Sequence, residues 1–240
     1  MHVLAIGAHP DDVELGCGGA LLRHCARGDD ISILIMTRGE RGVFERRSRF
    51  DEQRRAARIL GAELHWGPFV DGEVVFGPEL VRTIDEVIDA SGADVVYTHA
   101  ADDSHQDHRA TSQASLAAGR RLSSILFYET PSTQRFQPTV FIDVQDEIDS
   151  KVALVHSHAS QVERDGPLDM DALVAQARFR GSQSRSTYAE GFEVARFLWG
   201  MSPAGTDDVR STDVQVAADR LLAADILATD PLAAGPGPTR

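Results

Sequence analysis

The chain has little of what several function classes require. Its 240 residues include one lysine, Lys151, and two cysteines, and Asp plus Glu outnumber Lys plus Arg by 37 to 24, a formal net charge of −13. That balance argues against general nucleic-acid binding, which is led by basic contacts to phosphate, and disfavours adhesion to anionic membranes. The scarcity of lysine beside so much arginine reads as codon bias. Cys17 and Cys25 fall on one expected helix; at about 1.5 Å rise per residue they lie roughly 12 Å apart, too far for a disulfide. Idle thiols in a reducing cytosol are expected, and a metal site built on them is not. No apolar run approaches the ~18 residues of a membrane span, and the opening Val3–Ala8 run lacks the basic flank of a secretory signal. These absences give an expectation of a cytoplasmic protein with no membrane insertion.

What is present is alternation. Apolar runs at His2–Gly7, Ile31–Met36, Glu63–Trp66, Asp94–Tyr97 and Ser124–Tyr128 are separated by amphipathic stretches at Val13–Arg27, Arg49–Leu60, Pro78–Ala90 and Gln106–Gly119. Strands alternating with helices of that length predict a single α/β domain, Rossmann-like, with a mainly parallel sheet flanked by helices. A further strand is expected at Thr139–Val144, then helices at Gln145–His158 and Met170–Gly181. Residues 1–201 read as the domain. Residues 202–240 read as an extension, with an amphipathic helix at Val214–Leu227 and a disordered end.

Two strand-to-helix junctions are crowded with His and Asp: "AHPDDVELGCGG" after the first strand and "HAADDSHQDHRA" after the fourth. Each has a plain reading as a helix start. In the first, His9 is the cap, Pro10 the first helical residue, and the acids complement the dipole. In the second, Ser104 and Asp107 form a capping box. Yet in an open parallel sheet both junctions lie at the carboxyl ends of strands, where ligands bind. His9 and Asp12 are three apart, as are His105 and His108, so each pair faces one side of its helix start. Two ligands from one junction and one from the other make a two-histidine, one-carboxylate set with open positions, the pattern of a catalytic zinc. Such a metal lowers the pKa of water and polarises a carbonyl. Asp11, pointing away from Asp12, is then the candidate general base. His105, when it is not a ligand, is a candidate to stabilise an oxyanion or protonate a leaving amine, with Asp107 to orient it.

Those two motifs resemble the LmbE-like, or PIG-L, family of zinc-dependent de-N-acetylases. The resemblance implies a Rossmann-like fold and removal of acetyl groups from N-acetylglucosamine units in small conjugates. Carried over by position, it implies His9, Asp12 and His108 as zinc ligands, with another divalent transition metal as an alternative. It further implies Asp11 as general base, and His105 as second catalytic group with Asp107 behind it. The match extends over residues 2–200: "TRGERG" at 37–42; "RFDEQRRAARILGA" at 49–62, whose Arg49 matches a substrate-contacting arginine; "KVALVHSHASQ" at 151–161; and "YAEGF" at 188–192. Gln106 departs from the family's usual proline.

Other candidates have plain readings. Gly16, Gly18 and Gly19 do not follow the G-x-G-x-x-G order and sit after three carboxylates that would repel a pyrophosphate; they read as close helix–sheet packing. His99 reads as a surface or capping residue, or a substrate contact. Asp71 and Gly72 read as a turn first and a sugar contact second, and Glu14 as support for the helix start first and for the ligands second. Arg41, Arg46 and Arg47 read equally as a solvated loop or as a site for an anionic group on the substrate, and Trp66 and Trp199 as packing residues. The expected partner is a small N-acetylated sugar conjugate, selected by loops at 38–50 and 160–190; a homo-oligomer stays open. The rival readings are a metallohydrolase of another amide or an ester, a non-catalytic metal-binding module and, last, a nicotinamide-dependent oxidoreductase.

Overall fold

Strands buried on both faces carry near-continuous apolar side chains, and in the computed structural model of the protein such strands form the middle of one sheet. The structure describes residues 1–42, 49–162 and 168–198. Strands β1 (His2–Gly7), β2 (Asp30–Ile35), β3 (Glu63–Trp66), β4 (Val95–His99) and β5 (Ser124–Tyr128) pair in parallel. With β6 (Val140–Asp143) and β7 (Ala189–Arg196), the order across the sheet is β3-β2-β1-β4-β5-β7-β6. Only β7 runs against its neighbours. The fold is the expected mainly parallel α/β sheet flanked by helices.

Side chains alternate between two cores. Val3 and Ala5 of β1 point to one face, where Cys17 and Leu21 of α1 (Asp12–Ala26), Ala56 of α2 (Arg49–Ile59) and Leu154 of α5 (Ile148–Val155) pack. Leu4 and Ile6 point to the other, against Leu80, Ile84 and Ile88 of α3 (Pro78–Ser91) and Ala110 and Ala114 of α4 (Gln106–Ala118). α6 (Ala159–Val162) and α7 (Met170–Ser184) complete the described helices, none of which is long and apolar enough to cross a membrane. From β1 the chain winds outward through β2 to β3, then returns to lay β4 on the opposite side of β1. The reversal leaves a crevice beyond the carboxyl ends of β1 and β4, where open α/β sheets bind ligands.

The glycines of the first junction are packing residues, as expected. A Cβ on Gly16 would lie 2.0 Å from the Tyr128 ring, and one on Gly19 would lie 2.8 Å from Val144 Cγ1. α1 is broken at Cys17 (φ −140°, ψ 18°). In a regular helix the Gly19 N–H would donate to the Leu15 carbonyl. Here the Lys151 Nζ donates to that carbonyl at 2.8 Å, while the N–H groups of Gly19 and Ala20 donate to the Glu190 carboxylate at 2.8 and 2.7 Å. The two side chains close a buried ion pair at 2.6 Å. The chain's one lysine and the glutamate of "YAEGF" thus satisfy backbone groups freed by the break.

Three local readings change. β7 lies where no strand was expected, because Glu190, Gly191, Glu193 and Arg196 interrupt its apolar pattern. The helix expected at Gln145–His158 is confined to α5, since a turn occupies residues 145–147 and another follows Val155. His9 and Ser104 are not caps: Asp11 and His105 hold those positions. Arg46, Arg47, Trp199 and the expected extension from residue 202 lie outside the described residues.

Candidate active site

β1 delivers "AHPDD" to the crevice and α1 begins at Asp12, the helix entering through Asp11 in the left-handed region (φ 95°). A non-glycine residue held there is strained and needs outside support. α2 supplies it. The Gln53 Oε1 accepts from the Asp11 N–H at 3.1 Å, and the Arg49 guanidinium donates to the Pro10 carbonyl at 2.5 Å and to the Asp11 Oδ1 at 3.0 Å. Gln53 in turn donates to the Glu14 Oε1 at 2.6 Å. Arg49, expected from the resemblance at the substrate, is buried here against Asp11. Burial pushes the Asp11 carboxyl up to about 6, against the opposing charge of Arg49.

The two junctions meet. The His9 Nδ1 lies 3.2 Å from the His108 Nε2, and the Asp12 carboxylate straddles both rings, with Oδ2 3.4 Å from His9 and Oδ1 3.4 Å from His108. The far nitrogen of each ring is held by carboxylate. The His9 Nε2 faces the Asp71 Oδ1 and the Asp107 Oδ2, both at 3.1 Å. The His108 Nδ1 faces the Asp103 Oδ2 at 3.1 Å. Asp107 is fixed by the N–H groups of Gly72 and Val74 at 2.6 and 3.2 Å, and Asp103 by the hydroxyls of Thr130 and Thr133 at 3.1 and 3.0 Å. A carboxylate on the outer nitrogen directs the inner lone pair inward, the arrangement that orients metal-ligating histidines.

The donor set fits a divalent cation. Ligand atoms about 2.0–2.1 Å from a tetrahedral zinc are roughly 3.3 Å apart, close to the separations across His9, His108 and Asp12. Neighbouring donors also approach within 4.8 Å in three groups: His9, His105 and His108; His9, Asp71, His105 and Asp107; and Asp12, His99 and His108. Two of these donors have other bonds. The His105 Nδ1 accepts the Asp107 N–H at 3.2 Å as the α4 cap, and the His99 Nε2 accepts the Ala8 N–H at 3.0 Å. Charge agrees with geometry. Burial alone would lower His9 and His108, yet the surrounding aspartates outweigh it and push them up to about 12 and about 9. An aspartate cluster that draws extra protons onto two imidazoles has a place for positive charge, and metal binding releases such protons.

Asp107, expected behind His105, has its carboxylate on His9 instead. His105 caps α4 through Nδ1, which leaves its Nε2 to carry the proton of the neutral ring. It stacks on His108 with ring centroids 4.6 Å apart. His99, expected on the surface, as a cap or as a substrate contact, is fully buried and stacks on His108 at 4.0 Å; burial and then the neighbouring His108 charge push it down to about 4. Asp103, Asp71 and Gln53 are the residues that sequence reasoning missed or ranked low. Asp103 carried a signal, being a third acid in the second junction. Gln53, one turn beyond Arg49, carried none that separates it from an ordinary helix surface.

The profile of the PIG-L family, described as GlcNAc-PI de-N-acetylase, matches residues 4–119. An uncharacterized deacetylase of Escherichia coli K12, YaiS, is 40% identical over 168 residues, covering 66% of this chain and 90% of that protein. The chain belongs to the PIG-L family. A diacetylchitobiose deacetylase of Thermococcus kodakarensis is 29% identical over 226 residues, covering 83% of this chain and 84% of its own length. Among solved structures, the conserved protein TT1542 of Thermus thermophilus superposes with a TM-score of 0.76 at 31% identity, over 85% of this chain and all of that one. As a PIG-L member with deacetylases for relatives, the protein is an amidohydrolase.

Proposed function

We propose that the protein is a zinc-dependent N-deacetylase acting on an N-acetylglucosamine-type sugar within a small conjugate. His9, Asp12 and His108 are the metal ligands in this reading, and residues 1–201 form the catalytic domain. The observation that carries it is the pairing of two inward imidazole nitrogens beside Asp12, each ring held from behind by a carboxylate. The named activity of the Thermococcus relative supports a sugar acetamide as substrate.

When bound, zinc supplies a Lewis acid that activates water and polarises the acetamide carbonyl. Asp11 takes the proton of the attacking water. Arg49 occupies its Oδ1, so Oδ2 is the receiving atom, and the Gln53 bond to the Asp11 N–H holds the backbone of that residue in place. The His105 Nε2–H donates to the charge that grows on the carbonyl oxygen or to the departing nitrogen. Water and amide become acetate and a free amine.

The test is acetate release by the zinc-loaded protein from a set of N-acetylglucosamine conjugates. Asp11→Asn is expected to retain zinc and lose about 10²–10⁴ in kcat; full activity in that variant would remove Asp11 as the base. His108→Ala is expected to lose zinc by elemental analysis, and unchanged content would dismantle the ligand set.

A further inference from the structure

A cleft of about 410 Å³ opens beside the site, between the turn after β5 and the start of α7. Two of its walls touch residues of the site. Leu15 stands on the first turn of α1, its N–H donating to the Asp11 carbonyl at 2.9 Å. Thr130 and Thr133, opposite, are the residues whose hydroxyls hold Asp103 behind His108. These contacts put one wall of the cleft against the backbone of Asp11 and the other one residue away from His108, through Asp103.

The lining selects by charge and polarity. Leu15, Pro131, Leu168, Met170 and Leu173 supply apolar surface. The two carboxylates present are already engaged: Glu129 accepts both arms of the Arg180 guanidinium at 2.6 Å, and Asp169 accepts the N–H groups of Asp171 and Ala172 at the start of α7. No lysine, arginine or histidine lines the cleft among the described residues. A phosphate placed here would meet the Asp169 carboxylate and a Glu129 carboxylate already paired with Arg180, with no lysine, arginine or histidine on the lining among the described residues to receive it, and like charges are costly. A neutral group with an apolar face would instead be desolvated against leucine and methionine. Such a volume is that of an ordinary small-molecule subsite.

From this we infer that the cleft is the subsite for the portion of the substrate beyond the acetamido sugar. It takes an uncharged group with an apolar face and rejects phosphorylated ones. The inference rests on the sugar-deacetylase reading, so its test has a binding readout separate from turnover. Zinc-loaded, full-length Asp11→Asn protein is titrated by calorimetry with N-acetylglucosamine, its phenyl β-glycoside and its 1-phosphate. The phenyl glycoside is expected to bind at least about tenfold more tightly than the monosaccharide, and the 1-phosphate more weakly. Adding Ala172→Trp, an exposed position on the cleft rim, is expected to abolish the phenyl gain with little change in melting temperature. Equal or tighter binding of the 1-phosphate, a phenyl gain that survives Ala172→Trp, or no binding of any of the three overturns the subsite. The phenyl preference with no acetate released by the wild type sinks the deacetylase reading and leaves the subsite. Acetate released from all three without preference does the reverse.

Discussion

Asp107→Asn separates two roles for one carboxylate. In the structure Asp107 accepts from the His9 Nε2 at 3.1 Å and from the N–H groups of Gly72 and Val74. Three donors converge on it, and none of them is His105. An asparagine keeps one acceptor oxygen and turns an NH2 group toward a donor, so at least one of the three contacts becomes repulsive. The group that loses most is His9, whose Nε2 then keeps only the Asp71 Oδ1 at 3.1 Å to hold its Nδ1 toward His108 and Asp12. Losing such an outer partner typically costs 10–100-fold in metal affinity, equivalent to about 1.4–2.7 kcal/mol. The assay is competition for zinc against a chelator of known affinity, run beside kcat at saturating metal. The expected result is a 10–100-fold weaker zinc site, with much of the activity recovered when metal is in excess. Wild-type zinc affinity with a collapsed kcat would refute this reasoning and return Asp107 to a role behind His105.

Two further outcomes test how α1 holds its first turn in place. Lys151→Met leaves the Glu190 charge buried without its partner and the Leu15 carbonyl without its donor; breaking one side of a buried pair costs about 3–5 kcal/mol. In a domain of this size that lowers the melting temperature by on the order of 10 °C, and a scan that moves by less than about 2 °C would show the pair to be dispensable. Gly16→Ala drives a methyl to 2.0 Å from a Tyr128 ring that is buried and tied through its hydroxyl to the Ile6 carbonyl at 2.7 Å. Overpacking of that kind costs about 1–3 kcal/mol; an unchanged denaturation midpoint would mean that α1 can slide off the sheet at no cost.

The sequence by itself determined the architecture and the place of the site. Buried parallel strands advertise themselves as apolar runs, and helices of crossover length between them leave little choice of topology. Two His- and Asp-rich junctions after β1 and β4 could meet only at the reversal of strand order. His105 with His108 is a pair whose geometry helix spacing sets, His105 capping α4 three residues before His108, and it was legible for that reason; His9 and Asp12 have the same spacing but meet across the left-handed turn at Asp11, where α1 begins. β7 was not legible, since its charged residues serve partners elsewhere: Glu190 is on the backbone of α1, Glu193 on Gln137 and Arg196 on Gly119.

Only the tertiary structure decided which nitrogen meets which oxygen. Asp107 is two residues from His105 in the chain, yet its carboxylate turns to His9, because the loop at 71–74 presents two N–H groups that hold it there. Asp103 becomes the partner of His108 because the turn after β5 brings Thr130 and Thr133 against it. Arg49 and Gln53 act on Asp11 because α2 packs beside the start of α1. Each of these contacts joins residues that neither strand nor helix periodicity relates. Packing alone sets the direction of their side chains, and with it the roles of the two imidazoles and the aspartates around them.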